Sequence, residues 1–317
     1  MPTSGNAIKF GTNRQGDRLT TRRELLISLG LGAFALQRTA AAQLTRGLPR
    51  VGWLDAGTTA ARENFLEEFR RGMRDVGYVE GKNIIIEYRW TEGKYERLPA
   101  LAAELVQSKV AVIVASTSPA IKAAQGGTTT IPIVMVASVD PVGAGFIASL
   151  SRPGGNVTGL SNLAGDVSGK YLELLRVAVP KLSRVAVLMN PGHPNHPDSL
   201  KNIQATAMTT GVNITPVQAP TASQLEAAFG AVARERAGAL IVLPDALFNT
   251  QRSQIAELAM RNRLPTMFWT RELAEAGGLM SYGQNNAEQY RRAATYLDKI
   301  LKGAMPGDLP VEQATRL

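Results

Sequence analysis

Apolar positions along this chain fall into short unbroken runs that alternate with helical stripes. Val110–Ala115 and Ile131–Ala137 are the clearest runs, both rich in Val and Ile. Runs of that length suit strands buried on both faces, the condition found in a parallel sheet. Each is followed by small polar residues and a proline: Ser116-Thr117-Ser118-Pro119 and Ser138-Val139-Asp140-Pro141. Ser or Asp before Pro marks a helix start, because proline's missing N–H costs nothing in the first turn. The pattern predicts two helix N-termini at one sheet edge, with free N–H groups facing a crevice.

The chain before this stretch predicts a strand at Arg50–Leu54 and a helix over Ala60–Val76, with Phe65, Phe69, Met73 and Val76 as its buried stripe. Gly77 closes that helix, Asn83–Tyr88 forms the second strand and Tyr95–Ser108 the next helix. The turn-rich segment Arg152–Gly159 then leads towards a helix at Ser168–Val179, after which the pattern restarts. Arg184–Met189, Asp198–Thr210, Val212–Val217, Ala222–Arg236, Gly238–Leu243, a helix from about Thr250 and Leu264–Trp269 repeat the earlier order. The repeat is one of order, not identity. It predicts an α/β protein of two doubly wound parallel-sheet lobes joined by a hinge and facing each other as a clamshell. A last helix, Ala287–Leu301, with Tyr290, Ala294, Leu297 and Leu301 on one stripe, is expected to return to the first lobe. The expected divisions are a first lobe over 48–160 plus 284–305, a second over 161–283, and a terminal segment 306–317.

With 317 residues, 44% of them hydrophobic, the chain can bury two cores. The formal charge of +9 carries less meaning than it suggests. Residues 1–42 hold Lys9, Arg14, Arg18, Arg22, Arg23 and Arg38 against Asp17 and Glu24, a net +4, which leaves +5 scattered over the rest. Scatter of that kind reads as solvated surface and not as a nucleic-acid stripe. Arg22-Arg23 precede an apolar run, Leu25–Leu36, too short to span a bilayer, and Ala40-Ala41-Ala42 follows as a small-residue cleavage site. The segment resembles a twin-arginine export signal. It predicts twin-arginine export machinery as a partner of the precursor and a mature protein in the periplasm. The absence of cysteine excludes disulfides, thiolate metal sites and a lipidated-cysteine anchor.

Enzyme signatures are missing: no cysteine nucleophile, no G-x-S-x-G elbow, no Walker A loop and no G-x-G-x-x-G after a strand. His193 and His196 sit among Pro191, Pro194 and Pro197, with Asp198 as the one further metal donor nearby, so a solvated turn is expected and no metal or cofactor. Binding chemistry fits better. Thr58, Ser116, Thr117, Ser118, Asp140, Asn190, Asp245, Ser281 and Tyr282 fall in turns expected to line the cleft. Small hydroxyls at helix N-termini suit a carboxylate, and Ser116–Pro119 is the favoured contact. Asp140 and Asp245 either meet an ammonium or hydroxyl or simply cap helices. Trp53, Trp90 and Trp269 offer a stacking wall, with core packing the favoured role for Trp53 and Trp269.

Gly77-Tyr78-Val79-Glu80-Gly81-Lys82-Asn83-Ile84, Glu87-Tyr88-Arg89-Trp90, Arg97-Leu98-Pro99, Ile131-Pro132-Ile133-Val134, Asp140-Pro141-Val142, Arg152–Gly159 and Gly277–Gly283 together resemble a known family. It is the ABC-transporter substrate-binding proteins of the tryptophan/tyrosine-uptake type, and the likeness runs from about Pro49 to Gln313. The resemblance implies a type I periplasmic binding-protein fold and an amino-acid-like or aromatic small-molecule ligand. It also implies a membrane permease and its ATPase as partners. A ligand-sensing module of a signalling system is the alternative reading. Members continue past Leu309–Gln313 with a further strand, so an open sheet edge is expected where that strand would pair. The export signal and the lack of a helix-turn-helix exclude a cytoplasmic repressor of the same fold.

Overall fold

The apolar runs build two wholly parallel sheets. The computed structural model describes residues 47–162 and 167–313; the expected export signal, 1–42, lies outside them. The first half of the chain contains β1 (Arg50–Asp55), α1 (Thr59–Asp75), β2 (Ile85–Trp90), α2 (Leu98–Gln107), β3 (Val112–Ala115), α3 (Ser118–Gly127), β4 (Ile133–Val139) and β5 (Val157–Asn162). The second contains α4 (Ser168–Ala178), β6 (Arg184–Met189), α5 (His196–Thr210), β7 (Asn213–Gln218), α6 (Leu225–Arg234), β8 (Ala239–Val242), α7 (Ala246–Thr250), α8 (Arg252–Arg261), β9 (Thr266–Phe268), α9 (Arg271–Glu275) and β10 (Met280–Ser281). Then come α10 (Asn286–Leu301) and β11 (Glu312–Gln313).

The sheets run β2-β1-β3-β4-β5-β11 and β7-β6-β8-β9-β10. Strand order therefore repeats, and each sheet reverses direction between its first and third strands, β1/β3 and β6/β8. In an open α/β sheet the crevice beyond the carboxyl ends at such a reversal is where ligands bind.

α10 packs against α1 and the first sheet. Gly72 permits the approach, since a Cβ there would overlap the Arg291 carbonyl. Between them lies an aromatic core. Trp53 is fully buried, 4.9 Å from Phe69 and 6.0 Å from Tyr290 between ring centroids, and Phe65 stacks on Tyr290 at 5.0 Å.

One expectation needs correction. No helix starts at Pro141; residues 141–145 are turns, with φ of 41° at Asp140 and 72° at Gly145. Such left-handed positions end helical hydrogen bonding, and Gly145 accommodates one without a Cβ penalty. The segment preceding the further strand of the resembled family is itself paired, at the outer edge of β5. Glu312–Gln313 pair with Leu160–Ser161 as β11, held by Thr158 Oγ1 donating to Leu309 O and Tyr296 OH to Pro310 O, each at 2.7 Å.

Candidate functional site

The carboxyl ends of the two sheets face one another across a cleft. Hydrogen bonds cross it: Tyr95 OH donates to Asp245 Oδ2 at 2.9 Å and accepts from Ala246 N at 3.2 Å. Asn195 Nδ2 donates to Val139 O at 2.6 Å, and Asn249 Nδ2 to Ala61 O at 3.3 Å. The lobes are thus held together in a closed arrangement around a cavity of about 50 Å³. A smaller hollow of about 10 Å³ adjoins it, sharing Asn162, Trp269 and Asn286 as lining.

The first-lobe wall begins at the end of β1. Asp55, fully buried, accepts from Gly57 N at 2.6 Å and from Ser116 Oγ. Arg62, one turn into α1, points to the same place, but its Nε stands 3.7 Å from Asp55 Oδ1, beyond hydrogen-bonding range. That Nε has no partner, and the Arg62 side chain is only 11% exposed. The Tyr290 hydroxyl lies beside Ser116 without a well-oriented hydrogen bond; burial pushes its pKa up to about 12, so it remains a proton donor. At α3, Thr117 caps by accepting from Ala120 N at 3.4 Å and Pro119 has no N–H, which leaves the Ser118 N–H as the first-turn donor. Ser118 Oγ accepts from Val139 N at 3.3 Å and pins β4 to the helix.

The second-lobe wall is satisfied mostly within itself and by Tyr95, with Asn195 Oδ1 left without a partner. Asp245 caps α7, with Oδ1 accepting from Leu247 N at 2.8 Å and Phe248 N at 3.2 Å. Burial raises its pKa, opposed by His196, Tyr95 and those two amides. His193 and His196 are buried and stacked, ring centroids 4.2 Å apart. The expected solvated turn is therefore corrected: His193 stacks on His196, whose ring lies beside Phe248 and reaches the Pro244 carbonyl. His196 Nδ1 accepts from Asn190 N at 2.9 Å, which assigns the proton to Nε2 and makes it the donor to Pro244 O at 3.0 Å. Burial lowers both histidine pKa values, that of His193 farther, with His196 beside it adding to the effect. Among the described residues no group of three metal-ligating side chains occurs.

Of the residues singled out in the sequence, Ser116, Thr117, Ser118 and Asp245 meet at the cavity. Thr58 caps α1 by accepting from Ala61 N at 3.2 Å. Asp140 is exposed and accepts from Gly143 N at 2.9 Å within its own turn. Asn190 is buried behind the wall, where its Oδ1 accepts from Gly192 N at 3.0 Å. Ser281 lies on β10, and Tyr282 packs in the second-lobe core. Trp53 belongs to the first-lobe core, whereas Trp269 lines the cavity. Arg62, Tyr290 and His193 reach the cavity without any signal in sequence. Arg62 precedes Glu63-Asn64 in what reads as a solvent face, and Tyr290 reads as one more position of an apolar stripe.

Two facing parallel sheets of repeated order, bound across a polar cleft, define a type I periplasmic binding protein. The chain matches the family model for ABC transporter substrate binding proteins over residues 59–317 and belongs to that family, whose members bind and do not catalyse. A relative from Clostridioides difficile, described as a tyrosine-binding protein, is 28% identical over 77% of this chain and 70% of its own. A conserved domain protein of Vibrio cholerae has a similar structure, with a TM-score of 0.79, 27% identity, and coverage of 84% of this chain and 90% of that one. A Streptococcus pneumoniae ABC domain in complex with L-Trp has a TM-score of 0.77 at 22% identity, covering 85% and 90%.

Proposed function

We propose that this chain is the extracytoplasmic receptor of an ABC importer. It captures a small amino-acid-like or aromatic carboxylate between the lobes and delivers it to a membrane permease driven by its ATPase. The observation that carries this reading is the polar cleft itself, where an under-satisfied cation and a helix N-terminus face a second lobe tied across by hydrogen bonds. The tyrosine-binding relative and the L-Trp complex support the ligand class. The twin-arginine-like segment at 1–42 supports export to the periplasm, and no helix among the described residues is long and apolar enough to cross a membrane.

Ligand pockets commonly measure about 300–1,000 Å³, far above the 50 Å³ enclosed here. An aromatic ligand therefore enters by parting the lobes at the hinge, and closure around it is the signal the permease reads. A thermal-shift screen with amino acids and aromatic acids tests the reading. At 100 times its Kd a ligand adds about 2.7 kcal/mol of stability, and each kcal/mol raises Tm by about 2–4 °C for a domain of this size class. A rise of several degrees is expected for at least one carboxylate. A flat response across the panel overturns the proposal.

A further inference from the structure

We propose that the ligand is a carboxylate lacking an α-ammonium group, and that Arg62 and Tyr290 hold its carboxylate. The inference rests on the receptor reading above and narrows it. Two side-chain donors reach the cavity without acceptors: Arg62, whose Nε makes no hydrogen bond although the side chain is almost wholly buried, and the Tyr290 hydroxyl on a residue 1% exposed. Their positions are fixed from behind. Phe65 stacks on Tyr290, and the Arg62 guanidinium lies over Phe65 at 5.9 Å from the ring centroid. Buried donors without acceptors are costly, and a carboxylate, with about four lone-pair sites, satisfies both at once.

The complementary half of an amino-acid site is a carboxylate for the ammonium. Among the described residues, Asp245 is the only carboxylate lining the cavity, and three of its about four acceptor positions are filled: two α7 amides occupy Oδ1 and the Tyr95 phenol takes one position on Oδ2. Asp55 lies behind the wall and is occupied by Gly57, Ser116 and the charge of Arg62. The carbonyls of Val139 and Pro244 are likewise taken, by Asn195 and His196. An α-ammonium brought into this cavity would lose its water and set three N–H donors against at most one open carboxylate position, a penalty that a deaminated analogue avoids.

Calorimetry at pH 7 with matched pairs tests the inference: L-tryptophan against indole-3-propanoate and L-tyrosine against 3-(4-hydroxyphenyl)propanoate, with tryptamine and tyramine as amines lacking the carboxylate. The deaminated acid should bind at least about 10-fold more tightly than its amino acid, and the amines should not bind. Arg62→Gln should weaken the acid by about 10-fold or more and Tyr290→Phe by severalfold. Arg62→Gln removes no intramolecular hydrogen bond but does remove the ion pair with buried Asp55, so melting curves of the ligand-free variants separate lost binding from lost fold. An amino acid that binds as tightly as its deaminated partner overturns the inference while the receptor reading stands. Acid binding unchanged by both substitutions overturns the assignment to Arg62 and Tyr290. If no carboxylate binds, both readings fall.

Discussion

Strands β1 and β6 occupy the same place in the two sheets and share the frame Arg-Val-x-x-Leu, Arg50–Leu54 and Arg184–Leu188. They part at three positions: beside the small change of Gly52 to Ala186, Trp53 stands where the second lobe has Val187, and Asp55 where it has Met189. The latter two differences account for most of the contrast between the cleft walls. Asp55 orients Ser116 and faces Arg62, and Trp53 supports the ring of Tyr290 from below. Met189 can do neither, and the polar groups of the second wall, His196, Asn190 and Asp245, pair with one another, with backbone or with Tyr95, while Asn195 Oδ1 has no partner. The first lobe thus presents unmet donors to a ligand. The second presents a mostly satisfied surface that closes over it.

The largest effect is expected from removing the aromatic support on the first side only. Trp53→Ala should cost about 3–5 kcal/mol in urea unfolding, as large aromatic deletions in cores do, and should weaken carboxylate binding because Tyr290 loses its backing. Val187→Ala, at the matching position, removes two methyl groups at about 0.8 kcal/mol each plus a cavity contribution, and should leave affinity unchanged. If Val187→Ala impairs binding as much as Trp53→Ala, the asymmetry between the lobes is not located in these strands.

The same comparison explains what the sequence made legible. Buried parallel strands are written as continuous Val- and Ile-rich runs, so the succession of most strands and helices and the Ser116–Pro119 helix start could be read directly, whereas β5, hidden behind the turn-rich Arg152–Gly159, could not. The binding cation could not. Arg62 resembles any charged residue in the first turn of a surface helix, and it becomes a cleft residue only because Phe65 and Tyr290 meet behind it. That meeting depends on α10 crossing α1 at Gly72, a contact between segments more than 200 residues apart. The histidines misled for a related reason: prolines and Gly192 suggest a solvated turn, but the turn lies where the lobes close and burial follows from tertiary contact.

Acid should strike the second wall first. Both histidines are buried neutral, with folded pKa values below the ordinary 6.5, so the unfolded chain binds more protons as the pH falls below that value. Their stabilising contribution is full above about pH 6.5 and is lost as the pH falls through the window down to the folded pKa values. Asp245 acts in the opposite sense, since its carboxyl is raised from 3.8 by burial; its protonation favours the fold only as the pH approaches the carboxylate range. Melting temperature should therefore decline from pH 7 towards pH 5, and His193→Gln should flatten that decline. An unchanged slope in the variant assigns acid sensitivity elsewhere and removes the histidine pair from the contrast.

The smallest expected effect concerns the tie between the walls. Tyr95→Phe deletes a hydroxyl that donates to Asp245 and accepts from Ala246 N–H, bonds made only while the lobes are closed. Neither lobe uses the hydroxyl in its own core, so the unfolding of the ligand-free open form should hardly change. The closed form loses a contribution of about 0.5–1.5 kcal/mol, and the ligand must supply that difference when it selects the closed state. Affinity should fall about 2–10-fold, chiefly through faster dissociation, while preference among carboxylates stays as it was because Arg62 and Tyr290 are untouched. Stopped-flow release rates and calorimetry on the variant read both quantities. A change in ligand preference would place Tyr95 at the ligand itself and make the second wall part of recognition, whereas a change in release rate alone keeps it the lobe that closes.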